Sequence, residues 1–120
     1  MAMILPDLSS ILSGIITLGA NGGEQLPLPK IHTVLHHMKQ HNRILAGMWF
    51  SITGSVCYSR DVDNVLRDLA SQGVLKFEEG SVAVVKNAAL LRDRLRRMLP
   101  VRQYRKLMKV SRSFHARLGR

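Results

Sequence analysis

Basic side chains concentrate in the last third of the chain, and their chemistry is the binding of polyanions. Residues 86–120 hold twelve lysine and arginine residues and a single acid, Asp93, whereas residues 1–85 hold six basic and seven acidic residues. The net charge is therefore +11 in residues 86–120 and −1 in residues 1–85. This asymmetry indicates a polyanionic partner, most commonly nucleic acid, with a solvated basic face that keeps the protein soluble as the alternative.

The spacing of these charges predicts two basic helices. Asn87 can cap the first, which ends before Pro100, and the second runs from Val101 to about Leu118. Their basic residues could neutralise several phosphates along one backbone, although such contacts carry no sequence information. The candidate phosphate contacts are Arg92, Arg96, Arg97, Arg102, Arg105, Lys106, Lys109 and Arg112.

Each basic helix also carries an apolar stripe. The stripe of the first consists of Leu91, Leu95 and Met98, and that of the second of Tyr104, Leu107, Met108, Ser111, Phe114 and Leu118. The second stripe could pack on a partner subunit while the basic side meets DNA. We therefore predict a domain over residues 1–99 and a basic amphipathic helix over residues 100–120, which acts as a dimerisation or nucleic-acid-binding arm.

The histidines invite a metal interpretation, because His32 with His36 and His37 with His41 form two i, i+4 pairs. No acidic residue accompanies them in HTVLHHMKQH, and Cys57 is the only cysteine. We predict neutral histidines on polar helix faces and no metal site. The sequence also lacks a glycine-rich phosphate loop, a nucleophile elbow and paired carboxylates, so we predict neither an enzyme nor a bound cofactor.

Composition favours a globular protein of the cytoplasm. Apolar residues make up 46% of the chain and charged residues 22%. No uninterrupted apolar run approaches the roughly 18 residues that span a bilayer, and the N-terminus has no basic segment of the signal-peptide type. A single cysteine excludes an internal disulfide and fits a reducing compartment. We expect no membrane partner.

Residues 59–85 predict a helix followed by a tight β-hairpin. Ser59 can cap the helix, and Gly73 suits the left-handed residue that ends it. Residues 74–77 and 81–85 are rich in β-formers, and Glu78, Glu79 and Gly80 separate them with turn chemistry. The apolar stripe of this helix consists of Val62, Val65, Leu66 and Leu69.

Upstream, the pattern predicts two further helices and a strand. The first helix covers residues 7–19, with Pro6 near its start and the stretch 19–23, which holds three glycines and Asn21, to stop it. An extended connector at residues 26–29 leads into a second helix from Pro29 to about Gln40. Residues 44–52 predict a short strand, which would be the third strand beside the hairpin.

This order of helix, helix, strand, helix, hairpin and helix resembles a winged helix-turn-helix domain over roughly residues 5–99. The resemblance implies an α+β fold that is mainly α, with a small antiparallel hairpin or sheet and extra C-terminal helices. It also implies DNA binding in transcriptional regulation, with the helix after Ser59 in the major groove. The candidate base contacts on that helix are Arg60, Asn64 and Arg67.

A narrower resemblance is to the phage-associated winged-helix proteins that include the Panacea antitoxins. Their Tyr-Gly-Pro-Tyr-Ser-like segment is similar to Thr53-Gly54-Ser55 and Tyr58-Ser59, which lead here into DVDNVLRDLASQGVL. The proline of that pattern is missing, and Val56 and Cys57 stand as an insertion. The resemblance implies a role in gene regulation or toxin control.

Charge leaves two functions open. The helix after Ser59 carries two arginines and three aspartates, and the hairpin tip adds two glutamates, a balance that phosphates repel. The first function is a homodimeric regulator that binds double-stranded DNA. The second is a protein-interaction winged helix, such as an antitoxin or an assembly subunit, whose basic tail binds an acidic protein partner or RNA.

Overall fold

Helices dominate the chain in the computed structural model, which describes residues 7–20, 24–54, 56–85 and 88–118. A short 3-10 helix, Arg43–Leu45, follows the second α-helix. The mixed α+β class that we predicted is confirmed. In chain order the elements are α1 (Leu8–Thr17), β1 (Gln25–Pro27), α2 (Leu28–Lys39), β2 (Ser51–Thr53), β3 (Val56–Tyr58), α3 (Arg60–Ser71), β4 (Leu75–Glu78), β5 (Ser81–Val84), α4 (Ala88–Met98) and α5 (Val101–Leu118).

Local chemistry sets the helix ends that the sequence predicted. The Ser59 hydroxyl accepts a hydrogen bond from the Val62 N–H at 3.4 Å and caps α3. Gly73 follows α3 with a φ of 80°, a left-handed conformation that only glycine adopts without strain. The predicted roles of Pro6, Asn87 and residues 21–23 lie outside the described residues.

Strand β1 is the third strand beside the hairpin β4–β5. The antiparallel order is β1-β5-β4, with buried Leu26 opposite buried Val82, and a two-residue turn at Glu79 and Gly80. The extended connector before α2 is therefore a sheet strand. Proline suits this edge position, because it has no N–H to donate to a further strand.

The strand predicted for residues 44–52 is wrong over most of its length. Leu45 and Met48 are buried at a spacing of three residues, which is helical, while Ala46 and Gly47 between them are exposed. Only Ser51–Thr53 is extended, and it pairs with Val56–Tyr58 in a separate two-stranded sheet. The aromatic side chains of Trp49 and Phe50 suggested a strand, but tertiary burial decided otherwise.

Helix α1 is the centre of the core. Every residue from Ile11 to Leu18 is buried, because α1 contacts α3 and α4 as well as α5. Two of the buried residues are polar, and their hydroxyls are satisfied within the helix: Ser13 donates to the Ser9 carbonyl and Thr17 to the Ser13 carbonyl. No helix within the described ranges has the length and apolar character needed to cross a membrane.

Helix α5 packs its apolar face onto α1 within the same chain. Leu107, Val110, Phe114 and Leu118 are buried there, and a Cβ on Gly14 would overlap Leu107. The face that we considered for a partner subunit is thus occupied. Its centre also differs from the predicted stripe, since Tyr104 and Met108 are only half-buried whereas Val110 and His115 are buried.

The stripe of α4 is partly as predicted. Leu95 is buried and Leu91 is half-buried, but the predicted Met98 is exposed. Leu99 occupies the buried position instead, because its N–H donates to the Leu95 carbonyl at 3.0 Å and so continues the helical register four residues after buried Leu95.

The C-terminal end of α1 is buried, and side chains satisfy its backbone. Ser111 Oγ donates to the Ile15 carbonyl at 2.6 Å and accepts from the Gly19 N–H at 2.8 Å. Arg92 donates to the carbonyls of Thr17 and Ala20. The last carbonyls of a helix have no partner within it, so a buried helix end needs such donors.

We expect Ser111→Ala to lower the free energy of unfolding by roughly 1–3 kcal/mol, because it leaves the Ile15 carbonyl and the Gly19 N–H without a partner in the core. Chemical denaturation monitored by circular dichroism measures the change. Ser113→Ala is the matched control, since Ser113 lies exposed on the same helix. Equal stability of the two variants would contradict the role of Ser111.

Candidate nucleic-acid interface

Five basic residues form one exposed surface on α5, opposite the side that packs on α1. The separations of Arg102, Arg105, Lys109 and Arg112 are three, four and three residues, which places them on one helix face. Lys106 lies beside them, and all five are exposed. We call this set, Arg102, Arg105, Lys106, Lys109 and Arg112, the α5 basic face.

The α5 basic face has no acidic neighbour on its own helix. Residues 101–118 contain no aspartate or glutamate, and none of the five side chains forms an ion pair with a described residue. The five charges extend over about 15 Å of helix axis, a length along which duplex DNA presents several phosphates. Their positive potential is therefore directed at solvent without internal neutralisation.

A shallow groove of about 680 Å³ runs along this surface. Its lining is made by α5 alone and combines Tyr104 and Met108 with basic side chains. Lining by a single helix leaves the groove open on its other side, so its form suits an extended polyanion better than an enclosed small molecule. The basic lining residues are Arg105, Lys106, Lys109 and Arg112.

Arg92, a predicted phosphate contact, is used inside the fold. Its Nε donates to the Thr17 carbonyl at 3.1 Å and its Nη2 donates to the Ala20 carbonyl at 2.6 Å. The guanidinium therefore closes the end of α1 and does not belong to the α5 basic face. Arg96 and Arg97 are exposed on α4, and their contact with phosphates stays a prediction.

Arg94 was missing from the predicted contacts and is also exposed on α4. It lines one cleft with Gln72 and Val74, which follow α3, and a second cleft between α4, α1 and α3 that includes Asp68. The helical register alone could have identified it, because it lies away from the buried positions Ala88 and Leu95.

The exposed side of α3 has mixed charge. Arg60, Asn64 and Arg67 lie at helical spacing on it, but Arg67 Nε donates to the Asp63 carboxylate at 3.0 Å. Asp68 is exposed beside them. A phosphate approaching this side meets one arginine that is already paired and an unfavourable acid, so the electrostatic attraction is weak.

The structure distributes the predicted contacts over three helices, α3, α4 and α5. Helix α1 contacts α3 and α5, whereas α3 and α5 have little contact with each other. Arg60, Asn64 and Arg67 therefore do not join the α5 basic face in one surface. The four groove residues Arg105, Lys106, Lys109 and Arg112 are the ones that the fold brings together.

The two histidines of the pair His32 and His36 make different contacts. His32 is buried, a correction to its predicted place on a polar face, and its Nδ1 accepts a hydrogen bond from the Ser59 N–H at 3.1 Å. Its ring also stacks on Tyr58, while His36 contacts the edge of Phe50. Among the described residues, no three His, Cys, Asp or Glu side chains are grouped so that they could hold a metal ion.

Two buried histidines are neutral at physiological pH. Burial lowers the pKa of His32 from its ordinary value, an effect that the charge of Asp63 partly offsets. Burial also lowers the pKa of His115, although the hydrogen bond with the Ile16 carbonyl and the charge of Glu24 raise this pKa and partly offset the effect. His115 Nε2 lies 2.8 Å from the Ile16 oxygen, so this nitrogen carries the proton and adds a third side-chain donor at the end of α1.

Comparisons of the chain with protein-family models, with curated proteins and with solved structures find no match. No relative therefore supplies a role for any residue. Function is therefore inferred from the charge and placement of the side chains.

We expect the free energy of unfolding to fall as pH decreases below about 6.5, with a slope of up to ~1.4 kcal/mol per pH unit for each buried histidine. The lowered pKa values of His32 and His115 mean that the unfolded chain binds more protons in this range. Stability from this source is complete above the unfolded pKa and is lost below it. Denaturation midpoints between pH 5 and 7.5 test this expectation.

His32→Asn separates the contribution of His32 from general acid effects, because asparagine retains an acceptor near the position of Nδ1 but does not titrate. The pH dependence should become shallower in this variant. His41→Asn replaces an exposed histidine of the same segment and serves as the control. An unchanged slope in His32→Asn would refute the assignment.

Proposed function

We propose that this chain is a DNA-binding winged-helix protein whose α5 basic face contacts the phosphates of duplex DNA. The observation that carries the proposal is the set of five exposed cations on a helix without acidic residues, opposite its core side. Phosphate neutralisation with release of counterions supplies the affinity. In this proposal the binding of DNA serves transcriptional regulation.

The winged-helix part of the proposal is supported by the order of elements. Two helices precede α3, and α3 leads through Gly73 into the hairpin β4–β5, the position of a recognition helix and its wing. The wing is held in a three-stranded antiparallel sheet by β1. The departure from a simple helix-turn-helix is the stretch of residues 40–59 between α2 and α3, which carries β2 and β3.

Binding through the α5 basic face is independent of sequence in the proposal. Contacts with phosphates position a protein on the duplex but do not identify bases. Base reading would need α3, whose arginines and aspartates nearly cancel. In this proposal α5 provides the affinity, and any selectivity for sequence comes from Arg60, Asn64 and Arg67.

A second candidate function follows from the acidic balance of α3 and its wing. Asp68, Glu78 and Glu79 are exposed there, a charge that suits a protein surface better than DNA. In this alternative the chain is a protein-interaction winged helix, an antitoxin or an assembly subunit, and α5 binds an acidic protein or RNA.

Removing two charges from the α5 basic face should weaken duplex binding and its salt dependence. For Arg105→Ala with Lys109→Ala, we expect the slope of log K against log salt to decrease by about 2. Fluorescence anisotropy with a random duplex over a salt series measures the slope. Lys30→Ala with Lys76→Ala removes the same charge from exposed positions on α2 and β4.

Equal losses of duplex affinity and of salt dependence in the two double variants would contradict a dedicated α5 surface. Absence of duplex binding by the unmodified protein at low salt would overturn the proposal altogether. Salt-dependent binding of polyglutamate without binding of duplex DNA would favour the alternative function.

The α3 arginines should contribute little to the affinity for random DNA. We expect Arg60→Ala with Arg67→Ala to change it by less than about threefold, because Arg67 is already paired with Asp63 and α3 is net acidic. Selection of preferred sequences from a random pool tests base reading separately. A preference that disappears in this variant would show that α3 reads bases, and a large loss of random-duplex affinity would contradict the expectation.

A further inference from the structure

The hairpin β2–β3 and Trp49, which lies two residues before it, expose several large apolar side chains. Trp49 is 82% exposed, Ile52 59%, Val56 63% and Tyr58 43%. We call these four residues the hairpin patch. The other large apolar side chains that are exposed in the described ranges, Phe77, Leu90, Met98 and Val101, are distributed over β4, α4 and α5.

The patch covers both faces of a two-stranded ribbon. Tyr58 lies opposite Ser51 and Val56 opposite Thr53, so Tyr58 and Val56 share one face, whereas Ile52 lies on the other with Cys57. An isolated hairpin of three-residue strands is marginal in water. A partner strand added at the edge of β2 would place its side chains beside those of β2 on both faces at once.

The domain holds the base of this ribbon in place. The Ser59 N–H donates to His32, the ring of Tyr58 stacks on that histidine at 5.2 Å, and the Trp49 N–H donates to the Asp61 carboxylate at 3.3 Å. Lys39 Nζ donates to the Met48 carbonyl and fixes the preceding loop. The ribbon is therefore presented in a defined position, and little ordering entropy remains to be lost on binding.

Charge selects among possible occupants. Residues 44–59 contain no Asp, Glu, Lys or Arg, in a chain with a net charge of +10. An acidic protein or a nucleic acid would be attracted to α5 and gains no electrostatic energy at this ribbon. Two copies of the chain repel each other through their basic surfaces, and a neutral apolar surface lets them meet without juxtaposing those charges.

The free edge of β2 supplies a self-complementary contact. Within the described part of the chain β2 pairs with β3 alone, so its other edge has unpaired backbone groups. An exposed apolar edge strand is a template for pairing with another chain. Antiparallel pairing of β2 with the β2 of a second copy gives a two-fold interface. With the axis at Ile52, that residue meets its equivalent, and Ser51 meets Thr53 of the second copy.

The area fits a dimer of moderate strength. The four side chains of the patch expose on the order of 500 Å², similar to the largest apolar patch of a typical monomer. A standard interface buries roughly 800 Å² per partner, and the paired backbone with its polar rim would provide the remainder.

We propose that two copies of this chain associate through the hairpin patch, with their β2 strands paired antiparallel in a continuous four-stranded sheet. The interface lies apart from the α5 basic face, so this inference does not rest on DNA binding. It leaves the basic face of each copy free.

Sedimentation velocity and tryptophan fluorescence test this interface on the full chain. Trp49 is the only tryptophan, so its emission reports on the patch directly. We expect a concentration-dependent dimer and a blue shift of Trp49 emission over the same concentration range. Ile52→Lys places two like charges across the two-fold axis and should raise the dimer dissociation constant at least about 100-fold.

Leu90→Lys adds the same charge at an exposed apolar position of α4 and should leave the dimer unchanged. Thr53→Lys, on β2 but on the face opposite Ile52, repeats the test if Ile52→Lys alters the circular dichroism spectrum. A protein that stays monomeric at all concentrations overturns the proposal, as does a dimer that both ribbon variants leave intact. A blue shift that requires neutral phosphatidylcholine vesicles would assign the patch to a lipid surface instead.

Random-duplex anisotropy on Ile52→Lys keeps the two proposals distinguishable. We expect a monomeric variant that binds the duplex with an unchanged salt dependence per chain. Loss of the dimer interface and loss of the α5 function would thus appear in different measurements.

Discussion

The buried C-terminal end of α1 is the constraint on which the rest of this structure depends. Three consecutive carbonyls, from Ile15 to Thr17, together with that of Ala20, point into regions covered by other helices. Each accepts from a side chain that lies at least 72 residues away in sequence. The donors are Ser111, His115 and Arg92. Without them the carbonyls of Ile15 and Ile16 would lose their partners at a cost of about 1–3 kcal/mol each, whereas the Thr17 carbonyl would keep the Ala20 N–H at 3.3 Å.

This constraint also determines which surface α5 presents to solvent. Ser111 and His115 are four residues apart and lie on the same side as Phe114, so their hydrogen bonds fix the rotation of the helix about its axis. The α5 basic face is then directed away from the core because it occupies the opposite side. A helix held in this way offers a preorganised row of charges, and binding of a polyanion needs little further ordering of the backbone.

Two chemically different surfaces result. The α5 basic face is charged and suits long-range attraction, which steers a polyanion and weakens with salt. The hairpin patch is neutral and apolar, and it acts only over contact distance. Their separation on the molecule means that oligomerisation and polyanion binding need not compete for the same residues. The mixed charge of α3 belongs to neither surface.

The sequence by itself determined what depends on near neighbours: the cap at Ser59, the left-handed glycine at Gly73, the hairpin turn, the existence of the helices and the placement of charge along the chain. Tertiary structure decided which extended segment completed the sheet. Strand β1 took the place predicted for residues 44–52, because pairing with β5 depends on buried Leu26, which lies far from β5 in sequence. It also gave Arg92 a structural role: its spacing from Ala88 and Leu95 places it on the buried side of α4, but only the tertiary contacts supply its acceptors, the Thr17 and Ala20 carbonyls. Local patterns encode a residue's conformation and its charge, but the partner of a side chain is set by contacts between distant parts of the chain.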